Sequence, residues 1–264
     1  MIFADFLSIG SGSLVGFALG LLGGGGSILA VPLLVYVVGV RSPHVAIGTS
    51  ALAVAVNAFA NLIAHSRAGN VKWPCAIVFA VSGVGGAAIG AQLGKAVDGT
   101  KLLFLFGLVM LAVAAAMFSP RAAAGDPNVR ISPTIAWRLV AIGVFVGFLS
   151  GFFGIGGGFL IVPAIMLGSG MATLNAVGSS LVSVGTFGLS TAVSYAWTGL
   201  IDWRIAGFFI LGGVLGGLAG TALAGRLAER RVLLTRLFAG AVVAVAVFVL
   251  WRSAPGFLHA AQAN

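Results

Sequence analysis

Residues 23–32 read Gly-Gly-Gly-Gly-Ser-Ile-Leu-Ala-Val-Pro, and residues 154–163 read Gly-Ile-Gly-Gly-Gly-Phe-Leu-Ile-Val-Pro. Each run interrupts a long apolar segment, at 8–39 and at 136–168, that exceeds the roughly 20 residues of one straight membrane span. Each glycine costs a helix about 1 kcal/mol relative to alanine, and the proline that follows removes a backbone donor. The sequence therefore predicts, in both segments, two half-helices that meet at a glycine-rich break.

The composition around these breaks is that of a lipid-buried chain. Hydrophobic residues make up 60% of the 264 residues and charged residues only 7%, whereas soluble domains carry about 25% charged residues. Six further apolar segments are found, at 45–64, 71–94, 100–119, 173–197, 203–226 and 232–252. Backbone groups in lipid must bond within the segment, and these runs do not alternate as barrel strands do. The predicted fold class is therefore an all-α polytopic membrane protein.

The two halves of the chain resemble each other in sequence. The glycine runs are offset by 131 residues, and after one deletion Gly48-Thr49-Ser50 matches Gly178-Ser179-Ser180 at an offset of 130. Further matched pairs are Gly69 with Gly199, Trp73 with Trp203, Gly83 with Gly213, Gly86 with Gly216 and Gly90 with Gly220. The pattern predicts two homologous repeats of four apolar segments each, a plan common in transporters. For the last three pairs, spaced along one helix face, we expect close helix packing instead of a break.

A polar linker separates the two repeats. The predicted domains are a first transmembrane repeat at 1–119, the linker at 120–135, a second transmembrane repeat at 136–252 and a tail at 253–264. The linker is the only long polar stretch in the chain, so no soluble domain is expected.

The distribution of basic residues bears on topology. The net charge of +9 comes from 14 Lys and Arg against five acids, scattered singly between apolar runs, so nucleic-acid binding is not expected. If each long segment crosses the membrane once, seven basic residues fall on either side. If each returns to its starting side as a re-entrant hairpin, nine fall on one side and five on the other. The positive-inside rule favours the second arrangement, with six full spans, two hairpins, inverted repeats and both termini outside.

A glycine-rich helix break inside a membrane is a candidate anion site. Backbone N–H groups and the helix dipole at the start of a half-helix favour negative charge, and Ser27 is expected either to cap that half-helix or to donate its hydroxyl. The five acids map to segment ends or loops, which speaks against a cation pump and against an enzyme at mid-membrane. The candidate substrate-binding residues are Gly24, Gly25, Gly26, Ser27, Thr49, Ser50, Asn57, Gly156, Gly157, Gly158, Ser179 and Ser180.

The hydroxyls among these residues have a second interpretation. The matched hydroxyls at 49–50 and 179–180 are as well explained by bonds to carbonyls of their own helices. Asn57 is assigned to the site because an unsatisfied buried amide costs roughly 2–7 kcal/mol. His65 is expected in a solvated loop, and no metal or other cofactor is implied.

The paired breaks, each followed by Val-Pro at 31–32 and 162–163 and by Gly-Thr-Ser or Gly-Ser-Ser beyond, resemble the TauE/SafE family of sulfite exporters. The resemblance extends from about residue 8 to residue 250. It implies a multi-pass transporter of the bacterial inner membrane that exports sulfite or an organosulfonate, and we expect the two repeats to rock and expose the site alternately. An anion channel and a membrane assembly subunit without transport remain alternatives. The exact anion, the driving ion and a homodimeric state are left open.

Overall fold

The computed structural model describes residues 2–117, 125–126, 129–154, 158–226 and 239–253, which are almost entirely helical. The predicted tail beyond Ser253 and part of the predicted linker lie outside these residues. The helices are α1 (Ile2–Leu22), α2 (Ala30–Pro32), α3 (Pro43–Arg67), α4 (Trp73–Ala96), α5 (Gly99–Met117), α6 (Pro133–Phe153), α7 (Gly158–Ser169), α8 (Thr173–Ala196), α9 (Trp203–Arg226) and α10 (Ala239–Ser253). Within the described ranges, six helical stretches are long and apolar enough to cross a membrane. The predicted all-α membrane class is confirmed.

Both long segments leave α-helical geometry at their glycine runs. Helix α1 ends at Leu22 and is followed by Gly23 with φ of 69°, and α6 ends at Phe153 and is followed by Gly154 with φ of 66°. Glycine adopts this left-handed conformation without strain, which is why the helices end there. Beyond Gly23 the chain continues as a 3-10 helix, Gly23–Leu29, and then through α2 into a π-helical segment, Leu33–Val38.

The second break turns the chain back along α6. Gly168, near the end of α7, lies against Leu139 and Ile142 in the first half of α6, since a Cβ on Gly168 would be 2.9 Å from Leu139 Cδ2. Helices α6 and α7 therefore run antiparallel. The first break begins in a similar way, because Gly26 packs against Ala18 and Leu19 of α1.

Glycine stripes bring α1 against α9 and α4 against α6 at backbone contact. The contacts between α1 and α9 are Gly12 with Phe209, Gly16 with Gly213 and Gly20 with Gly217, and those between α6 and α4 are Gly143 with Phe79, Gly147 with Gly83 and Gly151 with Ala87. Each series rises in the same order along both helices, so each pair is parallel. The expected close packing at Gly83, Gly86, Gly90 and their matched glycines is confirmed, since an added Cβ at each would overlap a neighbour.

Helices α3 and α8 form the centre of the bundle and run antiparallel. Their contacts follow opposite orders along the two chains, with Gly48 against Tyr195, Ala55 against Gly188 and Phe59 against Gly185. They contain the two most deeply buried of the six apolar stretches. Side chains of these two helices contact both glycine-rich breaks.

The outer surface is apolar and is bounded by tryptophans. All five tryptophans lie at or near helix ends and are 44–86% exposed, namely Trp73, Trp137, Trp197, Trp203 and Trp251. Tryptophan is enriched at the two membrane–water interfaces because its ring is amphipathic. Between these belts the exposed side chains include Phe145, Leu167 and Leu215, as expected of a lipid-facing surface.

Candidate functional site

The two glycine breaks touch each other inside the protein. Gly24 of the 3-10 helix and Gly158 at the start of α7 approach so closely that a Cβ on either one would overlap the backbone of the other. All residues of Gly23–Leu29 are buried. A contact this close requires glycine on both sides. The contact between Gly24 and Gly158, called the crossing below, therefore brings backbone groups of both breaks to one interior point.

The remaining predicted glycines are placed differently. Gly25 is buried beside Gly24, whereas Gly26 faces α1. Gly156 and Gly157 lie outside the described residues.

Serine hydroxyls hold both breaks from the central helices. The Gly24 N–H donates to Ser180 Oγ at 3.4 Å, and Ser50 Oγ is 3.4 Å from the Gly154 carbonyl oxygen, to which it donates. Ser180 donates its own hydrogen to the Val177 carbonyl, and the single hydrogen of Ser50 is shared between Gly154 and the nearer Ile47 carbonyl at 2.9 Å. The predicted bonds of these serines to carbonyls of their own helices are therefore present.

Ser27 lies within the 3-10 helix and does not cap a half-helix. Its hydroxyl donates to the Gly24 carbonyl at 2.9 Å. The helix runs from Gly23, so residue 27 has already passed the position at which a cap acts. Of the two roles expected for Ser27, the cap is not observed, and its hydroxyl donates to the crossing glycine instead.

Thr49 and Ser179 hold loops and not the crossing. Thr49 Oγ1 accepts a hydrogen bond from the Asp202 N–H at 3.0 Å, and Ser179 Oγ accepts one from the Lys72 N–H at 2.9 Å. Asp202 and Lys72 immediately precede α9 and α4. These two hydroxyls thus fix the starts of the helices that carry the glycine stripes.

Asn57 is fully buried and faces α9. Its amide lies against Gly213, and neither Nδ2 nor Oδ1 has a hydrogen-bond partner among the described residues. It is seven residues beyond Ser50, about 10 Å along the helix axis. The amide is therefore in the seam between α3 and α9, some distance from the crossing.

Several buried hydroxyls were missed from the sequence. Ser150, Ser183 and Thr191 are fully buried, and their oxygens lack partners within the described part of the chain. Ser183 follows Ser180 by three residues and so lies on nearly the same face of α8. That spacing could have identified Ser183 from the sequence. Ser150 directly precedes Gly151 of the glycine stripe, and the sequence offered no comparable signal for it.

His65 is buried, contrary to the solvated loop predicted for it. Helix α3 extends to Arg67, past the predicted end at residue 64, so His65 belongs to its last turn. It is 4% exposed, and its Nε2 is 3.2 Å from the Gly20 carbonyl oxygen of α1.

The polar side chains buried in the described structure are not acidic, lysine or arginine residues. No described Asp, Glu, Lys or Arg is buried. The carboxylates of Asp98 and Asp202 accept bonds from backbone N–H groups at the starts of α5 and α9, and Asp5 pairs with Arg204 at 2.7 Å. The polar groups at the crossing are thus backbone amides and hydroxyls, which bond to one another in this structure. Such donors can solvate an oxyanion, which accepts hydrogen bonds through every oxygen.

Comparison with known proteins shows the family of the chain. The family described as "Sulfite exporter TauE/SafE" matches residues 8–249. A "Probable membrane transporter protein" of Xylella fastidiosa is 54% identical over 250 residues, covering 94% of this chain and 95% of that protein. The "Probable membrane transporter protein YunE" of Bacillus subtilis is 28% identical over 238 residues, covering 80% and 85%. No solved structure matches the chain.

Proposed function

The chain belongs to the TauE/SafE family and is a membrane transporter, and from this premise we propose that it exports a small sulfur oxyanion, sulfite or an organosulfonate, across the bacterial inner membrane. The observation that carries the proposal is the buried contact between Gly24 and Gly158. Two interrupted helices that meet inside a membrane protein are a recurrent way to build a substrate site near the bilayer midplane. The reaction is transport and involves no covalent step.

The crossing suits an oxyanion because its donors are neutral. Backbone amides of residues 24–26 and 156–158, with the hydroxyls of Ser27, Ser50 and Ser180, would replace the hydration shell of the anion. We assign Thr49 and Ser179 to the wall of the site, since their oxygens are engaged by loop amides. Asn57 is assigned to a seam that leads toward the site.

The antiparallel contact of α3 with α8 supports inverted repeats. In the duplicated sequence these two helices are equivalent. Eight single spans would make them parallel, because three crossings, an odd number, would lie between them. If each long segment returns to its starting side, they become antiparallel, as their glycine contacts are. The fold-back of α7 onto α6 agrees with the same topology.

Matched local structure supports the duplication itself. The positive-φ glycines among the described residues fall into three pairs at the offsets found in the sequence, Gly23 with Gly154, Gly39 with Gly170 and Gly69 with Gly199. The bond from the Asp202 N–H to Thr49 and the bond from the Lys72 N–H to Ser179 are equivalent at an offset of 130. Unrelated segments would have no reason to share turns and side-chain bonds at one register.

Alternating access is the mechanism that we assign to the crossing. The described residues of the first break and the serines around it are buried, so the crossing must be opened before an anion can enter. The parallel pairs α1–α9 and α4–α6 each join one helix from either repeat. Rocking one pair against the other would open the crossing toward one side of the membrane at a time.

Cysteine accessibility tests the inverted topology directly. Ala68 and Thr198 are exposed, occupy equivalent places after α3 and α8, and can each be changed to cysteine in a Cys75→Ala background. Inverted repeats predict that a membrane-impermeant thiol reagent labels Thr198→Cys in intact cells and Ala68→Cys only after the cells are opened. Labelling of both from the same side would reject the inverted arrangement.

Counterflow in proteoliposomes tests the function. Vesicles loaded with unlabelled sulfite are expected to accumulate labelled sulfite transiently and saturably, whereas empty vesicles of the same lipid should not. Thermal stabilisation of the purified protein by sulfite, sulfate, thiosulfate and sulfoacetate then ranks the anions. Flux without counterflow would identify a channel. Neither flux nor stabilisation by any of the four would leave the assembly-subunit alternative standing.

A further inference from the structure

A polar seam follows the second half of α3, where this helix packs against the α1–α9 pair. Asn57, Asn61 and His65 are four residues apart, so they lie on one face of the helix, and all three are buried. Asn57 contacts Gly213 of α9, and His65 Nε2 is 3.2 Å from the Gly20 carbonyl oxygen of α1. These three residues, called the α3 seam below, run from the middle of α3 toward its end.

The equivalent face of α8 carries a second seam. At the offset of 130 the corresponding residues are Phe187, Thr191 and Tyr195, all of them buried. Phe187 packs against Gly83 of α4, and Lys95 Nζ of α4 is 5.7 Å from the centre of the Tyr195 ring. Thr191 lies between them on the same face of α8 and so is directed toward α4 as well. Thr191 and Tyr195, called the α8 seam below, run toward the end of α8.

Polar atoms in both seams are buried without hydrogen-bond partners among the described residues. They are both amide atoms of Asn57, Oγ1 of Thr191 and the Tyr195 hydroxyl, and each of these residues is 0% exposed. A buried polar group without a partner costs roughly 1–3 kcal/mol, so helices that kept a single packing would gain from apolar residues here. Water or a polar ligand that reaches the seams in a second conformation would supply the missing partners. The unpartnered atoms therefore point to seams that open.

Each seam adjoins one of the two glycine breaks. Gly20, which the α3 seam contacts, precedes Gly24 by four residues, about 6 Å along a helix axis. In the α8 seam, Tyr195 lies against Gly48, and the residue before Gly48 contacts Gly154. A polar ligand in either seam is therefore close to the backbone of a break.

We propose that the two seams are the routes of the anion between the crossing and the two membrane faces, an inference that rests on the proposed alternating access. Because α3 and α8 are antiparallel, the α3 seam leads to one face and the α8 seam to the other. Movement of the α1–α9 pair away from α3 would open the first route, and movement of the α4–α6 pair away from α8 would open the second. The amide and hydroxyl groups of the open seam would then solvate the passing anion in place of water.

Basic residues are found at the membrane face to which each seam leads. The contacts of the α3 seam with α9 rise in the same order along both helices, so α3 and α9 are parallel and end on one face, at Arg67 and Arg226. On the other face Lys95 donates to the Ser194 carbonyl oxygen at 3.0 Å, beside the α8 seam. The Asp98 carboxylate nearby accepts backbone N–H bonds at the start of α5. Positive charge at the mouth of a cleft raises the local concentration of anions, which suits both routes to an anion.

Cysteine reactivity tests the routes. Thr191→Cys and Asn61→Cys are made separately in the Cys75→Ala background and treated with a membrane-impermeant maleimide, in intact cells and in inside-out vesicles. Thr191→Cys should react from the face at which Thr198→Cys is labelled, and Asn61→Cys from the opposite face. Reaction of both from one face, or of neither in protein that is monodisperse in detergent, would overturn the proposal.

Matched controls separate an open seam from depth in the membrane. Ile63 and Val193 are 57% and 47% exposed on the outer surface, and each is two residues nearer the end of its helix than the seam position. Ile63→Cys and Val193→Cys should react at least about tenfold more slowly than the seam cysteines, because the reactive thiolate is disfavoured in lipid. A control that reacts as fast as its seam cysteine would mean that depth alone sets the rate, and the routes would be rejected.

Transport links the seams to the anion. Thr191→Cys and Asn61→Cys, modified with the maleimide in detergent before reconstitution, should lose most of their sulfite counterflow, whereas Val193→Cys taken through the same treatment should keep it. Counterflow that survives complete modification of both seam cysteines would overturn the routes alone. Absence of counterflow in the unmodified wild type, with the seams labelled as expected, would instead overturn the proposed substrate and leave the routes standing.

Discussion

Gly24→Ala is expected to reduce the initial rate of sulfite counterflow more than tenfold, while most of the protein still reaches the membrane. The single added methyl group would overlap the backbone of Gly158, and backbone cannot move aside as a flexible side chain can. Overpacking of this kind typically costs 1–3 kcal/mol, which a bundle with many other contacts can absorb. The crossing itself cannot keep its geometry, so transport should fail before folding does.

Gly10→Ala is the control for this variant. Gly10 is in α1, is exposed and has nothing within 4 Å of an added Cβ, so the substitution should be neutral or slightly stabilising. Counterflow rates and the monodispersity of both proteins in detergent are measured side by side. Wild-type transport by Gly24→Ala would mean that close approach of the two breaks is not needed.

Gly86→Leu should prevent accumulation of folded protein, whereas Gly85→Leu, one residue earlier in α4, should be tolerated. A Cβ on Gly86 would overlap the Val144 carbonyl oxygen of α6 and lie 2.9 Å from Phe148 N. A Cβ on Gly85 would meet nothing within 4 Å, and that residue is exposed toward lipid. Driving α4 from α6 removes one of the two parallel pairs, so we expect a loss of at least about 3 kcal/mol.

The comparison uses fluorescence-detected size exclusion of the solubilised proteins, followed by thermal unfolding of whatever is monodisperse. Gly85→Leu should elute and unfold like the wild type, and Gly86→Leu should be absent or aggregated. Equal behaviour of the two variants would mean that the α4–α6 contact contributes little to assembly.

Much of this architecture could be predicted from the sequence, because glycines occur where helices end and where helices pack closely. The runs at 23–26 and 154–158 predict where the helices end, and φ of 69° at Gly23 and 66° at Gly154 explains why they end there. The periodic glycines of α4 predict close packing. Local backbone preference and steric size act at these positions, and both can be evaluated residue by residue.

Long-range pairing could not be predicted in the same way. Nothing in the stripe Gly12, Gly16 and Gly20 says that its partner is α9, because many glycine-bearing helices would fit it equally well. His65 was misplaced for a related reason, since the three further residues of helix that bury it depend on tertiary contacts. Whether Asn57 belongs to the anion site also depends on which neighbour its helix face meets.

The pairing of α1 with α9 has a consequence for biogenesis. Helix α1 leaves the ribosome before α9, so the surface that its glycine stripe fits is made only when residues 203–226 have been translated. Until then the insertion machinery or lipid must shield the stripe, and an N-terminal fragment cannot complete its own interior. The two halves of the chain must therefore complete their folding together.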